Sequence, residues 1–250
     1  MIVDALVYAG PSLFGGGRTL AELLAAAQGA GVDHVVAAPA KPRDYDVAGA
    51  SERLADECAA SAGRAVCLAR LDPWQDDAAD RLTALLEHPA VRGLLLHPWE
   101  ETFPANGDRA VALARVAAAL GCPVLVEAGH PLVAEALSLS DLARRVDGTV
   151  VMTRGGQVNM AGLAQQSADL ALAAAPNLCA LSAGMYRQDW LEGCVRRFGA
   201  KRLLYGSCAP VFDLGYEVER VRRAHMEDDE RAAALGGNAA ALFGLATEGA

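Results

Sequence analysis

Short apolar runs alternate with longer segments of helical periodicity along the whole chain. The apolar runs are bounded by Gly, Pro or Asp, a pattern that predicts buried parallel strands. The predicted strands span residues 2–8, 33–38, 65–71, 91–97, 123–127, 149–153, 178–182 and 202–205. The predicted helices span residues 19–30, 47–62, 76–88, 108–120, 132–146, 160–175, 190–198 and 216–226. Strands that alternate with helices in this way are typical of repeated βαβ units.

Eight strand–helix pairs in 250 residues predict an α/β fold, a single (β/α)8 TIM barrel, because a doubly wound sheet usually holds fewer strands. We expect residues 1–250 to form one barrel domain. Thr19, with a glutamate three positions later, has the pattern of a capping box at the first helix. Beyond the eighth helix the sequence predicts two short extra helices. One begins at Asp228 or Asp229, and the other is capped by Asn238.

Composition and charge narrow the classes of function. The net charge of −9 and the lack of a basic stripe argue against a nucleic-acid partner, whereas a small acidic substrate needs only one or two local arginines. The chain has no apolar run that could span a bilayer and no signal-peptide pattern at its start. We therefore expect a cytoplasmic protein with no membrane partner; a homodimer stays open. The six cysteines never form a Cys-x-x-Cys pair, which predicts reduced, buried thiols.

The stretch KRLLYGSCAP, residues 201–210, places Cys208 just beyond the last predicted strand. In a barrel of parallel strands, the carboxyl ends of the strands line the active site. The same rule places Tyr8, Glu127 and Arg154 at the ends of the first, fifth and sixth strands. We therefore expect a phenol, a carboxylate, a guanidinium and a thiol to converge on one site. Such a polar set is costly to bury without a purpose.

Six segments of the sequence resemble segments of a known family. They are MIVDALVYAG, GLLLHPWEETFPANG, VLVEAGHP, VVMTRGG, LEGCVRRFGAKRLLYGSCAP and ERAAALGGNAAALFGL. In this order they resemble the amidohydrolase superfamily, in the branch that contains aminocarboxymuconate-semialdehyde decarboxylase and the dicarboxy-pyrone lactonases. The resemblance implies a TIM barrel and a small acidic substrate. It also implies an activity that depends on a metal, either hydrolysis by activated water or decarboxylation.

The resemblance locates the metal ligands of the family, and every one of them differs in this chain. Leu6 and Tyr8 replace the two histidines of strand one, Glu127 the histidine of strand five, Arg154 that of strand six, and Cys208 the aspartate of strand eight. A leucine cannot coordinate an ion, and an arginine is permanently cationic. We therefore expect no metal site of the family type and no cofactor.

Each of the four polar residues has a catalytic and a structural interpretation. Arg154 would clamp a substrate carboxylate and leave Glu127 as a general base. Alternatively, the two would form a buried ion pair that fills the emptied metal site. Tyr8 would donate a hydrogen bond to a developing oxyanion, or would only fill space. Cys208 would serve as a nucleophile or an acid, or as a small buried hydrophobe.

Residues in the loops after the strands complete the predicted substrate site. His97 and His130 stand in His-Pro steps after strands four and five. Substrate contact, a scaffold role and a new Cys/His/Glu metal site are all open for them. Trp99 is expected to form an apolar wall of the pocket. The glycine run at 15–17 predicts a mobile loop on the same face rather than a phosphate cradle.

These observations leave three hypotheses for function. The favoured one is a metal-independent enzyme that hydrolyses a lactone or amide of a small acidic metabolite, or acts on it as a lyase or isomerase. The second is a catalytically silent barrel that serves as a binding or assembly partner. The third is a metal enzyme with a remade set of Cys, His and Glu ligands.

Overall fold

The computed structural model describes residues 1–156, 162–185 and 187–245. In these residues eight strands form one parallel sheet in the order of the chain. The strands are β1 (Val3–Ala9), β2 (His34–Pro39), β3 (Ala65–Arg70), β4 (Val91–Leu96), β5 (Val124–Val126), β6 (Val150–Met152), β7 (Leu178–Leu181) and β8 (Leu203–Leu204). The N–H of Ala5 donates to the Tyr205 carbonyl (3.0 Å) and that of Cys208 to the Leu6 carbonyl (2.8 Å). These bonds join β1 to the segment after β8, and they close the predicted (β/α)8 TIM barrel.

Helices alternate with the strands and cover the outside of the barrel. They are α1 (Leu20–Gly29), α2 (Val47–Ala59), α3 (Ala78–Leu86), α4 (Asp108–Ala119), α5 (Ala136–Arg144), α6 (Gly162–Ala174), α7 (Gln188–Phe198), α8 (Leu214–Arg222), α9 (Asp228–Ala232) and α10 (Asn238–Phe243). The last two are the predicted extra helices. The sequence predicts the start of α6 at residue 160, which lies outside the described residues. Within the described ranges, no helix has the length and apolar character needed to cross a membrane.

The strands bury side chains on both of their faces. Leu68, Leu95 and Leu125 belong to an inner cluster that fills the barrel. Their neighbours Leu94 and Val124 belong to an outer cluster that packs against the helices. Successive strand residues point to opposite faces, so an inner and an outer layer together require apolar residues at nearly every position. This double burial explains why the strands are continuous apolar runs in the sequence.

The first helix begins as the sequence predicts. The Thr19 hydroxyl accepts a hydrogen bond from the Glu22 N–H (3.2 Å), and the Glu22 carboxylate accepts one from the Thr19 N–H (2.8 Å). This reciprocal pair confirms the capping box and satisfies two backbone donors that the first turn of a helix leaves without partners.

The fifth helix begins later than predicted. The sequence predicts a start at residue 132, whereas α5 begins at Ala136. The reason is a turn in which the His130 carbonyl accepts the N–H groups of Val133 (3.2 Å) and Ala134 (2.9 Å). This turn leaves the side chain of Leu132 exposed. The loop after β5 is therefore longer than the pattern indicates, and it places His130 at the edge of the barrel mouth.

The predicted capping role of Asn238 is wrong. Asn238 is the first residue of α10, and its side-chain amide donates to the carbonyls of Ala200 and Leu203 (2.8 Å each). The side chain therefore ties the last helix to the entry of β8 instead of capping the helix. The strand itself is shorter than predicted because Arg202 belongs to a 3-10 turn that ends where β8 begins.

Candidate active site

A cavity of about 300 Å³ opens at the carboxyl ends of the strands. Six successive strands each contribute a polar side chain at or next to their ends: Tyr8, Lys41, Arg70, His97, Glu127 and Arg154. The loop after β1 covers one side with Phe14 and the glycine run at 15–17, and the loop after β8 contributes Val211. The cavity therefore lies where the active sites of TIM barrels are found.

Glu127 lies at the end of β5 and is held by three donors. Its Oε1 accepts from the Tyr8 hydroxyl (2.7 Å) and from the Arg154 guanidinium (3.2 Å). Its Oε2 accepts from the Thr153 hydroxyl. That hydroxyl in turn accepts the Ala128 N–H (3.0 Å), so its own proton points to the carboxylate. The carboxylate of Glu127 therefore accepts hydrogen bonds with both of its oxygens and is fixed in one orientation.

Tyr8 gives its only hydroxyl proton to Glu127 in this arrangement. Burial, and then the neighbouring Glu127 charge, raises the pKa of Tyr8 well above its usual value. The phenol is therefore protonated at any physiological pH. It can donate a hydrogen bond to an oxyanion only after its bond to Glu127 is loosened.

Arg154 lies in a turn just beyond β6 and is partly open to the cavity. Its backbone has a φ of 52°, a left-handed conformation that is costly for a residue with a side chain and that is common at active sites. Burial is the largest single influence and lowers the pKa of Arg154, but Glu127, Cys208 and Tyr8 together outweigh it and raise the pKa above its usual value. The guanidinium lies 5.6 Å from the centre of the Phe212 ring. A permanent cation, 23 % of whose side chain is exposed, is therefore fixed beside a carboxylate.

Cys208 lies behind the cavity wall and is fully buried. It also has a left-handed backbone, with a φ of 53°. Burial, and then the Glu127 charge, raises the pKa of Cys208 well above its usual value. The group is therefore a neutral thiol, and it lies near Tyr8 and Arg154. A neutral, buried thiol favours the proton-donor or packing interpretation over the nucleophile, which must be a thiolate.

Asp4 supports the wall behind Cys208, and it was not among the predicted site residues. Its carboxyl accepts the N–H groups of Ser207 (2.8 Å) and Leu6 (3.2 Å). Burial raises the pKa of Asp4 to about 6, although these hydrogen bonds act in the opposite direction. Asp4 thus joins β1 to the turn after β8, next to the position of the thiol.

His97 and Trp99 line the cavity, and His130 lies beside Trp99. Burial, followed by the charges of Arg70 and Arg154, lowers the pKa of His97 well below its usual value, so its imidazole is neutral. Its Nδ1 accepts a hydrogen bond from the Glu100 N–H (3.3 Å). The rings of Trp99 and His130 stack with centroids 3.8 Å apart and planes 18° apart. Of the predicted site residues, Cys208 and His130 do not line this cavity: Cys208 lies behind its wall, and His130 lies next to Trp99.

A second charged cluster, outside the predicted site residues, borders the same cavity. Arg70 ends β3 and pairs with Glu101 (2.7 Å) and with Glu100. Lys41 follows β2, lies 3.4 Å from the Glu101 carboxylate and donates to the Glu100 carbonyl. Two cations and two acidic side chains balance each other here, so the cluster ties the ends of β2, β3 and β4 together. A cation at or just beyond the carboxyl end of a strand, as at Arg154, is the signal that could have identified Lys41 and Arg70.

The side chains at the ligand positions do not fit the metal of the amidohydrolase superfamily, which the sequence resembles. Among the described residues, no group of three or more His, Cys, Asp or Glu side chains is arranged to hold an ion. Where the family places ligands, Leu6 is apolar, Cys208 is neutral, and the Arg154 cation already pairs with Glu127. An incoming divalent ion would have to displace that guanidinium. The remade Cys/His/Glu ligand set is not assembled by the described residues either.

Comparisons with known proteins agree with this architecture. A family model described as amidohydrolase matches residues 16–245. The chain is similar in structure to a 5-carboxyvanillate decarboxylase from Sphingomonas paucimobilis, with 15 % identity, coverage of 98 % of this chain and 99 % of that one, and a TM-score of 0.75. The chain is also similar to a protein from Pseudomonas putida assigned as a 2-pyrone-4,6-dicarboxylic acid hydrolase. The two share 18 % identity, the match covers 99 % of this chain and 98 % of that one, and the TM-score is 0.76. A third similar structure is an amidohydrolase from Burkholderia multivorans with bound zinc. It has 16 % identity and a TM-score of 0.74, and the match covers 98 % of this chain and 100 % of that one. No curated protein sequence matches the chain.

Proposed function

The chain belongs to the amidohydrolase family, and from this premise we propose that it is a hydrolase of small carboxylate-bearing substrates. In this proposal Arg154 binds the substrate carboxylate, and Glu127 is the general base that activates water for attack on a lactone or amide carbonyl. The reaction uses no metal of the family type, because the side chains at those positions suit a cation poorly. Family membership confirms the resemblance recognised in the sequence.

One observation carries the proposal: a carboxylate and a fixed cation lie side by side on the surface of the cavity. Because Glu127 only accepts hydrogen bonds, its oxygens are placed to take a proton from water rather than to deliver one. Decarboxylation must end with a proton delivered to carbon, whereas hydrolysis begins with a proton taken from water. The hydrogen-bond geometry of Glu127 therefore favours hydrolysis over decarboxylation.

The chain's own residues account for each proton in such a reaction. The substrate carboxylate draws the Arg154 guanidinium away from Glu127, which then accepts a proton from water as the oxygen–carbon bond forms. Once Glu127 is neutral, its bond to the Tyr8 hydroxyl weakens, and the phenol turns its proton to the oxyanion. The proton on Glu127 then passes to the departing oxygen or nitrogen as the scissile bond breaks.

A second candidate, a silent ligand-binding barrel, is favoured by a different observation. Both oxygens of Glu127 already have donors within the protein, from Tyr8, Thr153 and Arg154. A site satisfied in this way is stable without a substrate, as expected for a side-chain network that only fills the former metal site. The two candidates differ in turnover, not in the ligand that they bind.

The experiment incubates protein purified without added metal with 2-pyrone-4,6-dicarboxylate, 2,6-dihydroxybenzoate and 5-carboxyvanillate, in the presence of a chelator. We expect a ring-opened hydrolysis product from the pyrone and a loss of at least about 100-fold in Glu127→Gln and Arg154→Gln. Glu57→Gln, on the exposed side of α2, is the matched control and should be fully active.

Three outcomes decide among the alternatives. Loss of carbon dioxide from a benzoate, without hydrolysis of the pyrone, would contradict the hydrolase. Binding of these acids without any turnover would support the silent barrel. Stoichiometric zinc or manganese in active protein, with activity abolished by the chelator, would contradict the metal-free mechanism.

A further inference from the structure

The candidate active site adjoins a second cavity of about 480 Å³ on the side of the loop after β5. The two cavities share four lining residues, His97, Trp99, Glu127 and Arg154. The proposed base and the proposed carboxylate clamp therefore lie at the junction of two lobes rather than at the end of one pocket. A bond placed at this junction would have one part of the substrate in each lobe.

The two lobes differ in chemistry. The first lobe is lined by the charged groups of Lys41, Arg70 and Glu100. Among the described residues, the second lobe adds to the four shared ones Ala128, Gly129, His130 and Pro131, none of which carries a carboxylate, an ammonium or a guanidinium. The second lobe thus offers flat ring surfaces and backbone, which suit an uncharged planar group better than an acid.

Trp99 provides the flat surface in this lobe. Its side chain lines both cavities and is 56 % exposed, which is unusual for so large an apolar ring. The imidazole of His130 stacks on it, and His130 is itself fixed because its Nδ1 accepts the Leu132 N–H (3.4 Å). An indole held by a stacked partner is pre-organised, so a ligand ring that packs on it loses little to reordering of the protein.

We infer that the substrate carries a planar ring that stacks on Trp99 in the second lobe while its carboxylate pairs with Arg154. This inference rests on the proposed function for the position of the carboxylate and extends it by naming the ring. Trp99 is then a specificity-determining residue that selects flat substrates over puckered ones of equal size.

The experiment measures the binding of benzoate and cyclohexanecarboxylate by ligand-observed NMR or calorimetry, because these acids share a carboxylate and a carbon count but differ in planarity. We expect the wild type to bind benzoate about two- to tenfold more tightly, the range that ring stacking provides. Trp99→Leu should remove this preference, and Trp99→Phe should keep most of it. Trp74→Leu is the matched control, since Trp74 is 53 % exposed in the loop after β3 and lines neither cavity.

The results separate this inference from the proposed function. Equal affinity of the wild type for both acids, no binding of benzoate, or a preference that survives in Trp99→Leu would overturn the stacking role. Arg154→Gln should weaken the binding of both acids alike. If it weakens the binding of neither, the proposed carboxylate contact of Arg154 is wrong. A preference for benzoate that Trp99→Leu abolishes would still support the stacking role.

Discussion

Thr153 has no reactive chemistry of its own, yet it sets the orientation of the proposed base. Its hydroxyl accepts from the Ala128 backbone and donates to Glu127, so it connects the carboxylate to the backbone that follows β5. The side chain is completely buried. A threonine hydroxyl in this position fixes one carboxylate oxygen while Tyr8 and Arg154 hold the other.

Thr153→Val should lower the free energy of unfolding by about 1–3 kcal/mol, because it leaves the Ala128 N–H and one Glu127 oxygen without a buried partner. Thr153→Ser keeps the hydroxyl and should cost less than half as much. Urea denaturation measures both. Thr83→Val is the control, since the Thr83 hydroxyl bonds only to its own helix on an exposed face. Equal losses in the valine and serine variants would contradict the role of the hydroxyl.

Asp4 makes the stability of the protein depend on pH. The pKa of this carboxyl rises from 3.8 to about 6 on folding, so the folded state holds the proton more tightly than the unfolded state. The stability contributed by this group is therefore complete below about pH 4 and is lost as the pH rises through 6. The shift corresponds to about 3 kcal/mol at most.

The test compares the wild type with Asp4→Asn, which keeps an acceptor for the N–H groups of Ser207 and Leu6. The wild type should lose stability relative to the variant between pH 4 and pH 7. His97 is buried in its neutral form, so its contribution to stability rises with pH, opposite to that of Asp4. Comparing the two proteins at each pH cancels this contribution. Parallel pH profiles for the two proteins would show that Asp4 does not titrate in this range.

At the scale of elements, the cluster of Arg70, Lys41, Glu100 and Glu101 fastens three neighbouring strand ends. Arg70 is 1 % exposed, and besides its two acidic partners it donates to the Pro39 carbonyl at the end of β2 (3.1 Å). Short parallel strands have few ladder bonds near their ends. The cluster therefore supplies the bonds that hold this half of the cavity open.

Arg70→Met should lower the free energy of unfolding by about 3–5 kcal/mol, because it leaves the Glu101 carboxylate buried with only Lys41 nearby. The double variant Arg70→Met with Glu101→Gln should regain part of the loss, since it removes the uncompensated charge. Arg81→Met is the control: its ion pairs with Asp46 and Glu52 are exposed and should contribute about 1 kcal/mol or less. A loss below about 1 kcal/mol in Arg70→Met would contradict the fastening role.

The elements also show why the sequence predicts some features and not others. Burial on both faces imposes an apolar run on each strand, so all eight strands and their order could be predicted. The late start of α5 depends on a local turn closed by the His130 carbonyl, which the apolar periodicity of residues 132–146 does not signal. The amide of Asn238, by contrast, finds partners 35 and 38 residues away. Bonds between distant segments leave no local pattern in a sequence.

The same limit applies to the site. Tyr8, Glu127 and Arg154 could be predicted because they lie at or just beyond the carboxyl ends of strands, and position along a strand is a local property. The rule also identifies Lys41 and Arg70 once it is applied to β2 and β3. Thr153 also follows β6 directly, but the contact of its hydroxyl with Glu127 could not be predicted, since that contact depends on the register between β5 and β6.

At the scale of the whole molecule, the barrel shields its thiols. Five cysteines are buried, and Cys122 is partly exposed. Burial raises the pKa of Cys67, Cys179, Cys194 and Cys208, although for Cys67 the neighbouring Cys58 contributes more than burial does. These groups therefore combine poor access with a low fraction of thiolate.

At pH 8 a disulfide reagent should label about one thiol per native molecule, and the labelled residue should be Cys122. In denatured protein it should label all six cysteines. Cys122→Ser should remove the native reaction. Mass spectrometry of the labelled peptides identifies the site. Rapid labelling of Cys208 near neutral pH would restore the nucleophile interpretation, because such a rate requires a thiolate that reagents can reach.

The contact between Asp4 and Ser207 spans 203 positions of the chain. During synthesis the first strand leaves the ribosome at least several seconds before the residues that seal it are made. Over that interval the nascent sheet has an open edge whose backbone groups can pair with a neighbouring polypeptide. A chain interrupted before its eighth strand would therefore yield an aggregation-prone open sheet and not a smaller cylinder.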